Sequence, residues 1–363
     1  MKQTLLTFLL VITIAITKAQ EPAGYYSTAS GKTGAQLKTA LYDIIKGHIQ
    51  VSYTPGVWNA FYTTDKKANG KVWDMYSDVP GGTLPYEYTL GSSQCGTYAV
   101  EGDCYNREHS FPKSWFGDVA PMNVDLFHLY PTDGKVNGQR NNYPYGTVSS
   151  PTWTSKNGSK LGPCSAPGYS GIVFEPIDEY KGDFARTYFY MVTRYENVVV
   201  SWNSNPEAQP TLNGTTYPCF DTWILNVLLA WNASDPVSVK EIARNNAVYA
   251  IQHNRNPYID HPEYVNSVWG TKVGIADSPV QVALQVYPNP VSGNCTITLP
   301  PEFNQQNNVF TVYSSTGVPV FAPLNITGDK ATMNLENLPS GFYLLRLALN
   351  NYSTIYQARI IKK

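Results

Sequence analysis

The chain predicts an α+β domain followed by a small all-β sandwich, and three observations carry that prediction. Apolar residues recur at helical spacing near the N-terminus and again beyond residue 180. Between those regions lie short stretches rich in Tyr, Gly and Pro, which suit short strands and loops. After about Gly274 the helical period disappears in favour of alternating runs broken by turn residues. At 363 residues the chain is long enough for two domains. The expected boundaries are residues 24–270 for the first, 271–283 for a linker and 284–363 for the second.

The elements follow in order. "MKQTLLTFLLVITIAITKAQ" has a basic start at Lys2, an apolar run from Leu5 to Ile16 and small or polar residues up to Ala19, the pattern of a secretory signal peptide over residues 1–19. It is too short to span a membrane, and no other apolar run approaches the roughly 18 residues a span needs. From Gly34 to Gln50, Leu37, Leu41, Ile44, Ile45 and Ile49 recur on one helical face. Residues 51–102 read as strands and loops with little helix. Segments 184–195 and 222–231 read as buried helices. "DPVSVKEIARNNAVYAIQ" is a helix with its punctuation written in: Ser238 caps it, and Glu241 three residues later completes a capping box. The closing runs "NCTITL", "NVFTVYSS", "ATMNL" and "FYLLRLAL" alternate as strands.

Composition narrows the partners. Removing Lys2 and Lys18 from the 26 basic residues leaves 24 against 27 acidic, a formal charge of −3, so a polyanion must be met by a local patch and not by a global field. Export permits disulfides. The five cysteines are Cys95, Cys104, Cys164, Cys219 and Cys295, of which Cys95 to Cys104 is the easiest closure; four cysteines allow two bridges, and Cys295 is the odd one.

The chemistry concentrates in two stretches. In "CYNREHSFPKSW", His109 is one of only five histidines, and an imidazole with a pKa near 6.5 is a natural general base. Its neighbour Glu108 would point to the other face of a strand. "DLFHLYPTDGKVNGQRNN" then places Asp125, His128, Asp133, Asn137 and Arg140 within sixteen residues, with Asn137 and Arg140 at i, i+3 on one face if a helix begins there. A hard cation such as Mg²⁺ accepts carboxylate and amide oxygens, so Glu108 and Asn137 suffice as protein ligands. Arg140 would face the same cleft as a phosphate clamp.

The pair "NREHSFPKSWFGD" and "DLFHLYPTDGKVNGQRNNYPYG" resembles the bacterial endonuclease I family, secreted or periplasmic nucleases of the ββα-metal, or His-Me finger, type. "EPIDEYKGDFARTYFYMVTRY" and "DPVSVKEIARNNAVYAIQHNRNPYIDHPEY" are similar to that family's later blocks, in the same order, so the resemblance covers roughly residues 24–270. It implies a ββα-metal core with surrounding helices, His109 as the base that activates water, Glu108 and Asn137 as ligands of Mg²⁺ (Mn²⁺ substituting), and Arg140 on the phosphate. It further implies a monomer that acts on DNA, with RNA left open. His128 stands where some members carry Asn, and it reads as support for the fold. Asp183, Arg186, Arg194, Asn254 and Arg255 read as a structural network or as substrate contacts, and His253 and His261 as loop or core histidines.

The C-terminal motifs "VYPNPVSGNCTITL", "FTVYSSTGVPV", "LENLPSGFYLLRL" and "RIIKK" resemble the sorting domain of type IX secretion. That resemblance implies engagement of the secretion machinery and export across both membranes of a Gram-negative cell. Arg107, Lys113, Lys135, Arg140, Arg186 and Arg194 are the basic residues clustered around the motifs, and they are the expected phosphate patch. Two other classes compete with a nuclease. A zinc hydrolase using His109, His128 and a carboxylate would lack any H-E-x-x-H spacing. A non-catalytic nucleic-acid-binding protein or adhesin on the same scaffold would have no need to retain Glu108, His109 and Asn137 together.

Overall fold

The computed structural model describes residues 21–270, 280–301, 303, 309–348 and 354–363; the expected signal peptide lies outside them. The chain divides into two compact units, residues 1–270 and 271–363.

In the first unit, α1 (Gly34–Ile45) buries Leu37, Leu41 and Ile45 at i, i+4 and i+8. It stops short of the expected end, and Ile49 lies half exposed beyond it. A second helix, α2 (Gly56–Thr64), corrects the reading of residues 51–102: Val57, Ala60, Phe61 and Thr64 turn one face to the core. Its sequence is short and carries Thr and aromatic residues of modest helix propensity, so packing and not propensity makes it helical. The hairpin-like pair β1 (Tyr105–His109) and β2 (Leu129–Asp133) runs antiparallel, and α3 (Gly134–Arg140) follows β2 without a loop. A separate antiparallel sheet holds β3 (Trp153–Thr154), β4 (Lys160–Pro163) and β5 (Ile172–Glu175).

The helical half begins with α4 (Lys181–Arg194), buried from Gly182 to Arg194, and the one-turn α5 (Val199–Trp202). It continues through α6 (Thr222–Ser234), α7 (Val239–Gln252), the one-turn α8 (Pro257–Asp260) and α9 (Glu263–Trp269). The capping box on α7 forms as expected, with Ser238 and Glu241 each bonding the other's backbone N–H. Burying so many charged residues on α4 and α7 would be costly unless each found a partner. They do: Lys240 meets Asp183 at 2.7 Å, Arg186 grips Glu241 at 2.5 and 2.8 Å, and Arg244 reaches Asp65 at 2.8 Å.

The second unit is all-β. Its strands are β6 (Val280–Ala283), β7 (Val286–Tyr287), β8 (Asn294–Thr298), β9 (Val309–Ser314), β10 (Pro319–Val320), β11 (Leu324–Thr327), β12 (Lys330–Asn334), β13 (Gly341–Ala348) and β14 (Thr354–Lys362). They form a five-stranded sheet ordered β10-β9-β13-β14-β6 and a four-stranded sheet ordered β11-β12-β8-β7. Ile297 and Met333 from one sheet share a core with Leu345, Leu347 and Ile360 from the other, which makes a sandwich. β6, at the end of the stretch expected as a linker, pairs parallel with β14.

Cys95 and Cys104 are joined as a disulfide, with their Cα atoms 5.7 Å apart. A second bridge does not form: Cys164, Cys219 and Cys295 are buried free thiols. Among the described residues no helix is long and apolar enough to cross a membrane.

Candidate active site

The site is built on β1 and α3. Strand alternation divides β1 into two faces, Asn106 and Glu108 on one and Arg107 and His109 on the other, and the contacts respect that division. Asp133 ends β2 and caps α3, its Oδ1 accepting the Val136 N–H at 2.8 Å. The helix therefore starts at a fixed place beside β1. One turn in, Asn137 Nδ2 donates to Asn106 Oδ1 at 2.7 Å; a turn later Arg140 Nη1 donates to Glu108 Oε1 at 3.0 Å. The two helix positions thus match the two positions on the strand face.

Glu108 is 2% exposed. Its Oε1 also accepts from the Tyr76 hydroxyl at 2.9 Å, and Tyr76 in turn meets the Tyr145 hydroxyl at 2.8 Å. Burial pushes the Glu108 carboxyl up, against the pull of the Arg140 charge and the two tyrosine hydroxyls. The Arg140 and Tyr76 bonds both fall on Oε1, and the Tyr145 hydroxyl also bonds the carboxylate. Asn137 spends its amide N–H on Asn106, which leaves its carbonyl oxygen as the polar atom for other use. A carboxylate oxygen and an amide oxygen are hard donors, few in number, and such a set suits a cation that keeps several waters. The donor set fits a hard divalent cation. Among the described residues no group of three His, Cys, Asp or Glu is arranged to hold a metal.

His109 is 6% exposed, and its Nε2 lies 3.1 Å from the backbone carbonyl of Asn123. A carbonyl only accepts, so Nε2 carries the proton and Nδ1 carries the lone pair. Burial, then the nearby His128, hold the imidazole well below the usual histidine range, which keeps it neutral with its lone pair free at pH 7. The Tyr53 ring stacks on it at 6.0 Å. His128, fully buried, gives its Nε2 to the Met122 carbonyl at 2.6 Å and packs between His109 and Phe116. It holds the segment that presents the Asn123 carbonyl.

Arg140, expected on the phosphate, lies inside the protein. Arg140 is 1% exposed, and beyond Glu108 it donates to the backbone carbonyls of His109 at 2.9 Å and Ser110 at 2.5 Å. Its guanidinium locks the strand from inside. Of the expected basic patch, Lys135 on α3 stays part-exposed, while other members are committed elsewhere. Arg186 is paired with Glu241, Arg194 is buried against His48, and Lys113 is paired with Asp118 at 2.5 Å. Asp183 and Arg255 likewise sit in ion pairs, and Asn254 bonds Tyr190 and the Ile45 carbonyl. His253 terminates α7 in a left-handed conformation, and His261 lies between Glu21 and Glu263.

Sequence reasoning missed Asn106, Tyr76, Tyr145, the Asn123 carbonyl and Asp74, whose Oδ2 accepts the Asp133 N–H at 3.0 Å. Period-two alternation from Glu108 could have pointed to Asn106. The others come from distant parts of the chain and leave no local signal.

β1, β2 and α3 thus bring a neutral histidine, a held carboxylate and an amide together on one ββα unit. Residues 33–263 match the Endonuclease I family, and the chain belongs to it. It is 40% identical to the extracellular ribonuclease of Bacillus amyloliquefaciens over 264 residues, spanning 70% of this chain and 81% of the relative. The extracellular ribonuclease of Bacillus subtilis is 36% identical over 68% of this chain and 78% of its own length. Endonuclease-1 of Buchnera aphidicola from Acyrthosiphon pisum is 26% identical over 37% of this chain and 44% of its own length. Residues 285–363 match the secretion system C-terminal sorting domain. The protein is a secreted nuclease with a type IX sorting domain.

Proposed function

We propose that this protein is a metal-dependent, sequence-tolerant endonuclease that hydrolyses the phosphodiester backbone of DNA and RNA, with His109 as general base. The observation that carries the reading is the Nε2 contact with the Asn123 carbonyl, which leaves Nδ1 of a buried neutral imidazole as the proton acceptor. His109 takes a proton from the attacking water as its oxygen bonds to phosphorus; the P–O3′ bond breaks, the departing 3′ oxygen takes a proton from a solvent water, and the products are a 5′-phosphate and a 3′-hydroxyl. Water and not the sugar is the nucleophile, so the 2′-hydroxyl is dispensable and both polymers qualify. The curated relatives named as ribonucleases support the RNA half of this reading.

Glu108 and Asn137 would hold the Mg²⁺ ion. Bound there, it would supply positive charge to the phosphorane and to the departing oxygen. Arg140 acts through Glu108: it keeps the carboxylate oriented and partly neutralised inside the protein. Asn106 orients the Asn137 amide in the same way.

The test is cleavage of supercoiled plasmid and of an end-labelled RNA by wild type, His109→Ala, Glu108→Ala and Asn137→Ala, in Mg²⁺ and in EDTA. Wild type should cut both polymers only with the metal and leave 5′-phosphate ends. His109→Ala should lose about 10²–10⁴-fold in kcat, while the other two raise the metal concentration needed for half-maximal rate. Products ending in 2′,3′-cyclic phosphate would show that the sugar hydroxyl attacks and would remove water from the mechanism. Binding without cutting under Mg²⁺ or Mn²⁺ would leave a non-catalytic scaffold.

A further inference from the structure

With Arg140 turned inward, the phosphate contact expected of it must come from another cation, and β1 itself offers one. Arg107 lies two residues before His109, on the same face of the strand. Both side chains adjoin one ring: the Arg107 guanidinium sits 3.5 Å from the centre of Tyr53, and Tyr53 stacks on His109. Trp58 of α2 flanks the guanidinium at 4.7 Å.

What surrounds Arg107 is neutral. Its Nη1 donates to the Tyr53 carbonyl at 2.5 Å and to Thr54 Oγ1 at 2.9 Å. Among the described residues no carboxylate lies within 4 Å of it, whereas Arg140, Arg186, Arg244 and Arg255 are each held in a buried ion pair. The side chain is partly exposed. Two aromatic faces and a backbone carbonyl hold the guanidinium in place without cancelling its charge, and its Nε and Nη2 lie outside those bonds. A rigid, uncancelled guanidinium fork is the group that grips a phosphate through two parallel hydrogen bonds.

We propose that Arg107 contacts a backbone phosphate of the bound strand, adjacent to the phosphodiester that His109 serves. The inference rests on the nuclease reading and assigns its electrostatic contact. Since a phosphate is present in every sequence, the contact strengthens binding uniformly and adds to the salt dependence of affinity.

The test measures KM, kcat, thermal midpoint and the affinity for a short fluorescent single-stranded DNA at several salt concentrations in EDTA. It compares wild type with Arg107→Gln, Arg107→Lys and Lys32→Ala, an exposed lysine that no contact of the site involves. Arg107→Gln should raise KM about tenfold with kcat little changed, as loss of a charge-assisted bond made equally in ground and transition states requires. The slope of log affinity against log salt should fall by about 0.7. Arg107→Lys should keep the slope while still losing affinity, because charge remains and the fork does not. Lys32→Ala should match wild type.

An Arg107→Gln protein with wild-type KM and slope would overturn the inference. So would a raised KM with an unchanged slope and a lowered thermal midpoint, since that pattern marks a structural anchor for Tyr53. If wild type cuts while Arg107→Gln behaves as wild type, this inference alone falls. If wild type neither cuts nor binds the oligonucleotide, the nuclease reading falls and takes this one with it.

Discussion

At the scale of single residues, the site depends on which polar atoms are already committed. Glu108 and Arg140 form a buried pair, and a buried pair is more damaging to break than to have left out. Arg140→Met should therefore destabilise the fold by about 3–5 kcal/mol in urea unfolding, because it strands the Glu108 carboxylate and frees the carbonyls of His109 and Ser110. A stability close to wild type with impaired cleavage would instead return Arg140 to a surface role on substrate. Glu108 and His109 are adjacent in sequence, yet their side chains have separate partners, because successive strand residues face opposite ways. One meets Tyr76 and Arg140; the other meets Asn123 and Tyr53.

At the scale of elements, α3 is the arm that carries Asn137 and Arg140, and its starting point is set by a relay of carboxylates. Asp133 caps the helix and also accepts from Tyr88 at 2.5 Å and from the Gly102 N–H at 2.8 Å. Asp74 accepts the N–H of Asp133 and of Tyr76. Burial pushes the Asp74 carboxyl up to about 7, with the Asp133 charge adding to the rise and the backbone N–H bonds opposing it. A carboxyl raised in the folded state contributes stability that is present below its unfolded value near 4 and lost as pH climbs through the folded one. The unfolding free energy should accordingly decline between about pH 4 and pH 7, by up to about 1.4 kcal/mol per pH unit from this group. Asp74→Asn should flatten that decline; an identical profile in the variant would show that Asp74 titrates normally.

At the scale of the whole molecule, each unit has its own core, and the single disulfide belongs to the first. It spans nine residues and anchors Cys104, whose carbonyl accepts the N–H of Gly134 at the start of α3. Closing so short a loop contributes about 2–3 kcal/mol. Treatment with dithiothreitol should lower the thermal midpoint of the first unit and, through α3, weaken the apparent affinity for Mg²⁺. An unchanged midpoint would mean that the bridge adds nothing in solution. The free cysteines are buried, so the reductant acts on this one bond.

What the sequence determined by itself was local and periodic: the capping box of α7, the amphipathic face of α1, the alternating strands of the second unit, and the helix that places Asn137 and Arg140 one turn apart. Those features arise between residues a few positions apart, where propensity and period dominate. The ordered motifs also carried the family, which the match over residues 33–263 bears out. Tertiary structure alone decided the commitments of the polar atoms. Tyr76 and Tyr145 come to Glu108 from 32 residues before it and 37 after, α2 became helical because the core needed its apolar face, and Arg140 turned inward to a buried carboxylate while Arg107 kept its charge uncancelled. A residue type fixes what a side chain can bond; only the packed chain fixes what stands within reach, and the cost of an unpaired buried charge then settles which arginine is spent on the fold and which remains for a ligand.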